Sequence, residues 1–206
     1  MQGAVVLCGG ESRRMGQSKA WLAFGPECLL QRVIRIVGEV VDTDAIVVVA
    51  APGQECPPLP DSVRIVRDPV AGRGPLQGLA AGLAALPASV EVVFATATDA
   101  PFLRPAWIRG LYEWLGANDL AIPFADGFHH PLSAVYRRAT TLPAIENLLR
   151  QDRLRLLDLM GTLRTHVVVE NELRRVDPEL ASLRNLNTPE AYVKALSDAG
   201  FPAPLP

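Results

Sequence analysis

Cysteine is scarce in this 206-residue chain: Cys8, Cys28 and Cys56, an odd number with no Cys-x-x-Cys spacing. That excludes a disulfide framework and a zinc knuckle, and reads as three idle thiols. No stretch reaches the ~18 uninterrupted apolar residues of a membrane span. The first ten residues enter an apolar run without a basic segment, which predicts no secretory signal and a cytoplasmic protein. Positive charge is not in excess either. The formal net charge of −2 argues against broad capture of nucleic acid or of an anionic membrane, so neither is expected as a partner. Lysine is almost missing: of 20 basic residues only Lys19 and Lys194 are lysines. Internal repeats, low-complexity blocks and long linkers are lacking as well; proline clusters only at 57–60 and in a loose tail, 201–206.

What is present suits a folded globular protein. The chain is 49% apolar and 20% charged, ordinary for a globular protein and long enough for one sizeable core. Short continuous apolar runs at 4–8, 45–51, 63–67, 90–96 and 165–170 read as buried strands. Helix-period segments alternate with them at 27–41, 75–86, 105–115, 141–150 and from the Thr188 cap to Gly200. Residues 120–123 and 132–136 read as strands joined through the Asp126-Gly127 turn. This alternation predicts an α/β protein: a three-layer α/β/α sandwich on a mostly parallel, twisted, Rossmann-like sheet. Ligands of such folds bind at the carboxyl ends of the strands, so the loops after Cys8, Arg67 and Thr96 are where chemistry is expected.

The first loop reads Leu7-Cys8-Gly9-Gly10-Glu11-Ser12-Arg13-Arg14-Met15-Gly16-Gln17-Ser18-Lys19. Glycines let a backbone approach a ligand and aim N–H groups at it; arginines and a lysine beside them suit a polyphosphate. The spacing is neither a Walker loop, because two residues separate Gly16 from Lys19, nor the Gly-x-Gly-x-x-Gly fingerprint. In a chain that otherwise uses arginine, Lys19 suggests a compact point charge at one phosphate oxygen. Asp68 ends a strand before Pro69 and the glycine-rich opening of a helix, whose N-terminus favours anions; it reads equally as a turn former. Asp99, at the end of the strand 90–96 and before Pro101, reads as a cap of the following turn or, facing a phosphate loop, as a ligand for Mg²⁺. His129 and His130 are adjacent and would point to opposite faces of a strand, which argues against zinc. Arg153 and Arg155 read as a solvated face or as contacts to an acidic acceptor. Asn185 and Asn187 share a face by strand alternation.

The first loop resembles the signature loop of nucleotidyltransferases with a GT-A-like fold, and within that superfamily the chain is most similar to the molybdenum cofactor guanylyltransferases. Asp68 with Gly74-Pro75-Leu76-Gln77-Gly78 is similar to the family's second block, Asp99-Ala100-Pro101 to its acidic block, His130-Pro131-Leu132 to its histidine strand, and Asn185-Leu186-Asn187-Thr188-Pro189-Glu190 to its C-terminal block. The likeness runs from about residue 4 to 195 and departs at two small positions, Cys8 for alanine and Thr98 for cysteine. It implies transfer of GMP from GTP to the phosphate of molybdopterin, forming the guanine dinucleotide and pyrophosphate with Mg²⁺, and molybdoenzymes or their chaperones as recipients. Leu7, Cys8, Gly9, Gly10, Lys19, Asp68, Gly74, Pro75, Leu76, Gly78 and Asp99 would bind the nucleotide. Lys19, Arg14 and Asp99 would be catalytic, Asp99 would hold the metal, and His130, Asn185 and Asn187 would meet the acceptor. One domain is expected, residues 1–104 on the nucleotide side and 105–200 on the acceptor side. A cytidylyltransferase, a sugar-phosphate nucleotidyltransferase and a non-catalytic molybdopterin carrier are the alternatives.

Overall fold

A computed structural model describes residues 1–9, 18–70 and 72–202. The chain opens with β1 (Gln2–Leu7). After a 3-10 turn at Lys19–Trp21 comes a small hairpin, β2 (Ala23–Phe24) and β3 (Glu27–Cys28), then α1 (Leu29–Gly38). β4 (Ile46–Ala50), β5 (Arg64–Arg67), α2 (Gly74–Ala85), β6 (Val92–Ala97) and α3 (Pro105–Leu115) complete the first half. β7 (Leu120–Ala125), β8 (Phe128–His129), β9 (Ser133–Arg137), α4 (Arg138–Arg150), β10 (Thr165–Val169), α5 (Glu170–Leu173) and α6 (Pro189–Asp198) follow.

The main sheet has the strand order β10-β7-β9-β6-β1-β4-β5, with β8 beside β7. The pairs β1–β4, β1–β6, β4–β5 and β7–β10 are parallel, whereas β9 runs antiparallel between β6 and β7. Period-two alternation sorts the strands' side chains into two cores. Ala4, Val6, Ile46, Val48 and Phe94 face α1 and α3, where Leu30, Val33, Trp107 and Ile108 are buried. Val5, Leu7, Val47, Val49 and Val93 face α2 and α4, where Leu76, Leu79, Leu83 and Ile145 are buried. The expected three-layer sandwich is therefore the observed one. Each such fully buried aliphatic side chain stabilises by roughly 1.5–3 kcal/mol. A third cluster docks α6 on the small hairpin through Phe24, Leu29, Leu186, Tyr192 and Leu196.

Four elements differ from the sequence expectation. The run 63–67, expected as a buried strand, forms the edge strand β5, where Arg64, Ile65 and Arg67 are exposed because only β4 pairs with it. The Asp126-Gly127 turn joins β7 to the two-residue β8, not to the strand after it; β9 starts one residue late, at Ser133, and pairs mainly with β6. Asp126 and Gly127 both take positive φ, 51° and 79°, which closes the tight turn early. The first helix begins at Leu29 because Glu27 and Cys28 are held in the hairpin, where Gln31 accepts from the Cys28 N–H at 3.0 Å. α4 begins at Arg138, directly from β9, and accommodates Pro143 on its exposed side. The C-terminal helix starts as expected: the Thr188 hydroxyl accepts from the Ala191 N–H at 3.2 Å, and Pro189 takes the first turn.

Candidate active site

The carboxyl ends of β1, β4, β5 and β6 meet along one edge of the sheet. The Cys8 and Gly9 amides donate to the Val49 carbonyl at 2.8 and 3.1 Å, carrying the chain past the end of β4. A Cβ on Gly9 would sit 2.9 Å from the Ala51 nitrogen, so this close approach admits only glycine. Gly10 and Arg14 lie outside the described residues. Ser18 caps the 3-10 turn that carries Lys19 to the loop after β6.

There Lys19 Nζ contacts Asp99 Oδ2 at 2.6 Å and donates to Asn187 Oδ1 at 3.1 Å. These three residues come from three distant parts of the chain. Asp99 is positioned by the β6–β1 pairing and by Thr98, whose N–H and hydroxyl both donate to the Leu7 carbonyl, at 3.1 and 3.2 Å. The threonine that departs from the family pattern thus ties two strand ends together. Asn187 is positioned by the Leu186 N–H, which donates to the Asp99 carbonyl at 2.9 Å, and by Leu186 itself, buried in the α6 cluster. The expected alternation holds: Asn185 and Asn187 are exposed on either side of buried Leu186. Asp99 is 9% exposed, and its Oδ1 is buried with no hydrogen-bond partner among the described residues.

Two adjoining cavities lie close to these strand ends, and neither is lined by Lys19, Asp99 or Asn187. One, about 420 Å³, is lined by Leu7, Gly9, Ala51, Asp68, Gly72, Gly74, Pro75, Gly78 and others. Asp68 both lines it and accepts from the Val70 N–H at 3.1 Å, so its ligand-facing and turn-forming readings coexist. Leu76 is instead turned into the core, fully buried behind the cavity wall. The Cys8 side chain lies on the other sheet face, and burial, with the Cys56 thiol beside it, pushes its pKa up to about 12. The second cavity, about 600 Å³, is lined by His129, His130, Ser133, Arg155 and Asn185 among others, and shares Pro75 and Leu132 with the first. Both histidines face this one cavity rather than opposite sides of a strand, because β8 ends at His129. His130 is held below the usual histidine pKa mainly by burial. The two arginines part company: Arg153 pairs with Asp158 at 3.2 Å, whereas Arg155 lines the cavity. No group of three or more His, Cys, Asp or Glu side chains able to hold a metal is found among the described residues.

Sequence reasoning missed Gln54. Its Nε2 donates to the Cys8 carbonyl at 3.2 Å and to the Ser18 hydroxyl at 3.1 Å, while its Oε1 accepts from the Ala51 N–H at 3.0 Å. The signal for its placement was the Pro52-Gly53 pair, a turn dipeptide directly after a buried strand. It also missed the wall formed by Leu154, Leu156 and Leu157.

The close approach at Gly9, a lysine and a carboxylate at the carboxyl ends of the strands of a largely parallel sheet suit a nucleotide-handling α/β protein. In fold the chain is similar to molybdopterin-guanine dinucleotide biosynthesis protein A from Archaeoglobus fulgidus, with a TM-score of 0.76, 24% identity and 97% and 99% of the two chains covered. Residues 4–166 match the MobA-like NTP transferase domain. The chain is 36% identical to a probable molybdenum cofactor guanylyltransferase of Pelotomaculum thermopropionicum, over 93% of this chain and 90% of that one. It is 35% identical to the molybdenum cofactor guanylyltransferase of Desulfosudis oleivorans, over 93% and 92%. The chain belongs to the MobA-like NTP transferase family and is a nucleotidyltransferase. No helix among the described residues is long and apolar enough to cross a membrane.

Proposed function

We propose that this enzyme transfers GMP from GTP to the terminal phosphate of molybdopterin, carrying molybdenum or not, and releases pyrophosphate. An acceptor phosphate oxygen attacks the α-phosphorus; that P–O bond forms as the bond from the α-phosphorus to the bridging oxygen of the β-phosphate breaks. The observation that carries this reading is the Lys19–Asp99–Asn187 contact set just past the ends of β1 and β6, strands whose last residues, Leu7 and Ala97, line the smaller of two adjoining cavities, in a chain whose relatives of nearly equal length are named guanylyltransferases. The smaller cavity, built mainly from residues 7–97, takes the nucleotide. The larger, built mainly from residues 129–185, takes the acceptor.

The protein's task is positioning and neutralisation of charge rather than covalent catalysis. The Gly9 backbone borders the nucleotide cavity, with Gly74 and Gly78 opposite and Asp68 placed for a nucleoside hydroxyl or base. Lys19 supplies a positive charge to the leaving pyrophosphate, with Arg14 as its partner from outside the described residues. His130, Asn185 and Asn187 meet the acceptor, His130 as a neutral imidazole given its lowered pKa. The buried Asp99 Oδ1, without a hydrogen-bond partner among the described residues, is the hard oxygen ligand that Mg²⁺ takes beside phosphates, and Asp99 would hold the ion. Bound there, Mg²⁺ would supply Lewis-acid charge to the phosphates. The product would pass to molybdoenzymes or their chaperones.

The test is pyrophosphate release from GTP, CTP, ATP and UTP with Mg²⁺, with and without molybdopterin or its molybdenum-loaded form. Release from GTP alone, and only with acceptor, is expected. Release from CTP in its place moves the protein to cytidylyl transfer. Silence with every nucleotide and a verified acceptor removes the molybdopterin assignment, and sugar phosphates become the next acceptors to assay.

A further inference from the structure

Lys19 must be held at one height against Asp99, and it directly follows Ser18, the residue that precedes the 3-10 turn. Beyond the 3-10 turn itself, where the Trp21 and Leu22 amides donate to the Ser18 and Lys19 carbonyls, a side chain from elsewhere holds Ser18 in place. Ala51-Pro52-Gly53-Gln54 forms a turn closed by the Gln54 N–H donating to the Ala51 carbonyl at 3.1 Å, with Gly53 at φ 70°. The turn folds back over the end of β1 and aims the Gln54 carboxamide between the two chain segments. Its carboxamide oxygen and both of its N–H bonds are engaged. Oε1 accepts from the Ala51 N–H at 3.0 Å. Of the two N–H bonds, one serves Cys8, where carbonyl and sulfur lie at 3.2 and 3.3 Å, and the other serves the Ser18 hydroxyl at 3.1 Å. Trp21 Nε1 donates to the Glu55 carbonyl at 3.2 Å and braces the same turn from the other side of Lys19.

We infer that Gln54 is a positioning residue for nucleotidyl transfer: it pins Ser18 to Cys8 and so sets the Lys19 ammonium and the Gly9 backbone at a fixed separation across the triphosphate. It touches no reacting atom. Its effect reaches the chemistry through Lys19, whose charge must stand at the leaving oxygens and not an ångström away, a displacement that costs turnover steeply. The inference rests on the reading of Lys19 as the pyrophosphate-side charge. The bonds Gln54 makes are to neutral groups at the rim of the core, so their loss disturbs the global fold little.

The test uses Gln54→Met, which keeps length and volume but not the three polar contacts, alone and combined with Lys19→Ala. Binding of Mg·GTP without acceptor is titrated for each protein, together with kcat in pyrophosphate release and thermal midpoint. Gln54→Met is expected to lower kcat by about tenfold, to change the thermal midpoint by no more than a few degrees, and to have no further effect in the Lys19→Ala background. Ser18→Ala should reproduce part of the loss and add nothing to Gln54→Met. A kcat loss that multiplies undiminished onto Lys19→Ala overturns the inference, as does an unchanged kcat, or a loss matched by a collapse of the midpoint. The wild-type titration separates the two readings: a wild-type protein that binds no Mg·GTP fails the proposed function, whereas one that binds and turns over while Gln54→Met behaves like it fails only the role of Gln54.

Discussion

Lys19 and Asp99 are 80 positions apart in the chain, and the 2.6 Å contact between them makes each the other's counter-charge. With nucleotide in place the two would divide their labour, the ammonium to phosphate oxygens and the carboxylate to a cation. Lys19→Met should therefore lower kcat by roughly 10²–10³-fold, the range for losing one preorganised charge at a developing anion. It should weaken GTP binding much less, because the leaving pyrophosphate gains charge only as the bond breaks. Asp99→Asn keeps shape and loses charge, and turnover should fall to background at any Mg²⁺ concentration that supports the wild type. Steady-state pyrophosphate release beside a direct GTP titration checks both; equal losses in kcat and affinity for Lys19→Met would assign it to ground-state binding. At this scale the sequence was unusually readable. A chain that uses arginine for 18 of its 20 basic residues marks Lys19 by its rarity, and Asp99 by its place after a β-branched run. It could not show that Asn187 reaches Lys19, because the link is made by Leu186 sinking into a cluster with Phe24 and Tyr192. That is a tertiary fact with no local signature.

Strands and helices were legible where their periodicity was strong, and least so around β8 and β9. The order Leu120 to Tyr136 carries two apolar runs and one turn dipeptide, from which a plain hairpin follows. Pairing instead puts β9 against β6, with Val135 opposite Phe94, because the buried edge of β6 offers a full row of free amides and carbonyls. One polar lock at that end of the sheet yields a test. Asp119 opens β7, and its carboxylate accepts from Arg164 Nε and N–H at 2.9 and 3.2 Å and from Thr140 at 3.2 Å, tying β7 to β10 and α4. These bonds, Arg164's guanidinium first, hold its pKa down at about 2. A carboxyl lowered in the folded state binds its proton later than in the unfolded chain. Its contribution is therefore whole above the ordinary carboxylate value of about 4 and is lost as pH falls through about 2. The thermal midpoint of the wild type should exceed that of Asp119→Asn at pH 7, and the gap should close between pH 4 and pH 2. A gap that widens on acidification gives the opposite sign and rejects the linkage.

The whole molecule sets two cavities against one line of contact, Pro75 and Leu132. From the sequence, the halves 1–104 and 105–200 were expected to divide nucleotide from acceptor. The cavities cross that boundary in both directions: Leu132 closes the first, and Pro75 opens onto the second. A shared wall is what an in-line displacement between two bound substrates requires, since each must present its phosphate at the same place. It also lets the division of labour be measured. Asp68 lines only the first cavity and Arg155 only the second. Asp68→Asn should raise the KM for GTP by about tenfold, the worth of a hydrogen bond to a charged group, and leave the acceptor KM within twofold. Arg155→Ala should do the reverse, raising the acceptor KM by about 10- to 100-fold through loss of a charge-assisted contact to the acceptor's anionic end. Crossed initial-rate series, varying GTP at fixed molybdopterin and the converse, separate the effects. Should Arg155→Ala shift both constants by the same factor, the larger cavity serves the nucleotide as well, and the acceptor must enter from elsewhere along the sheet edge.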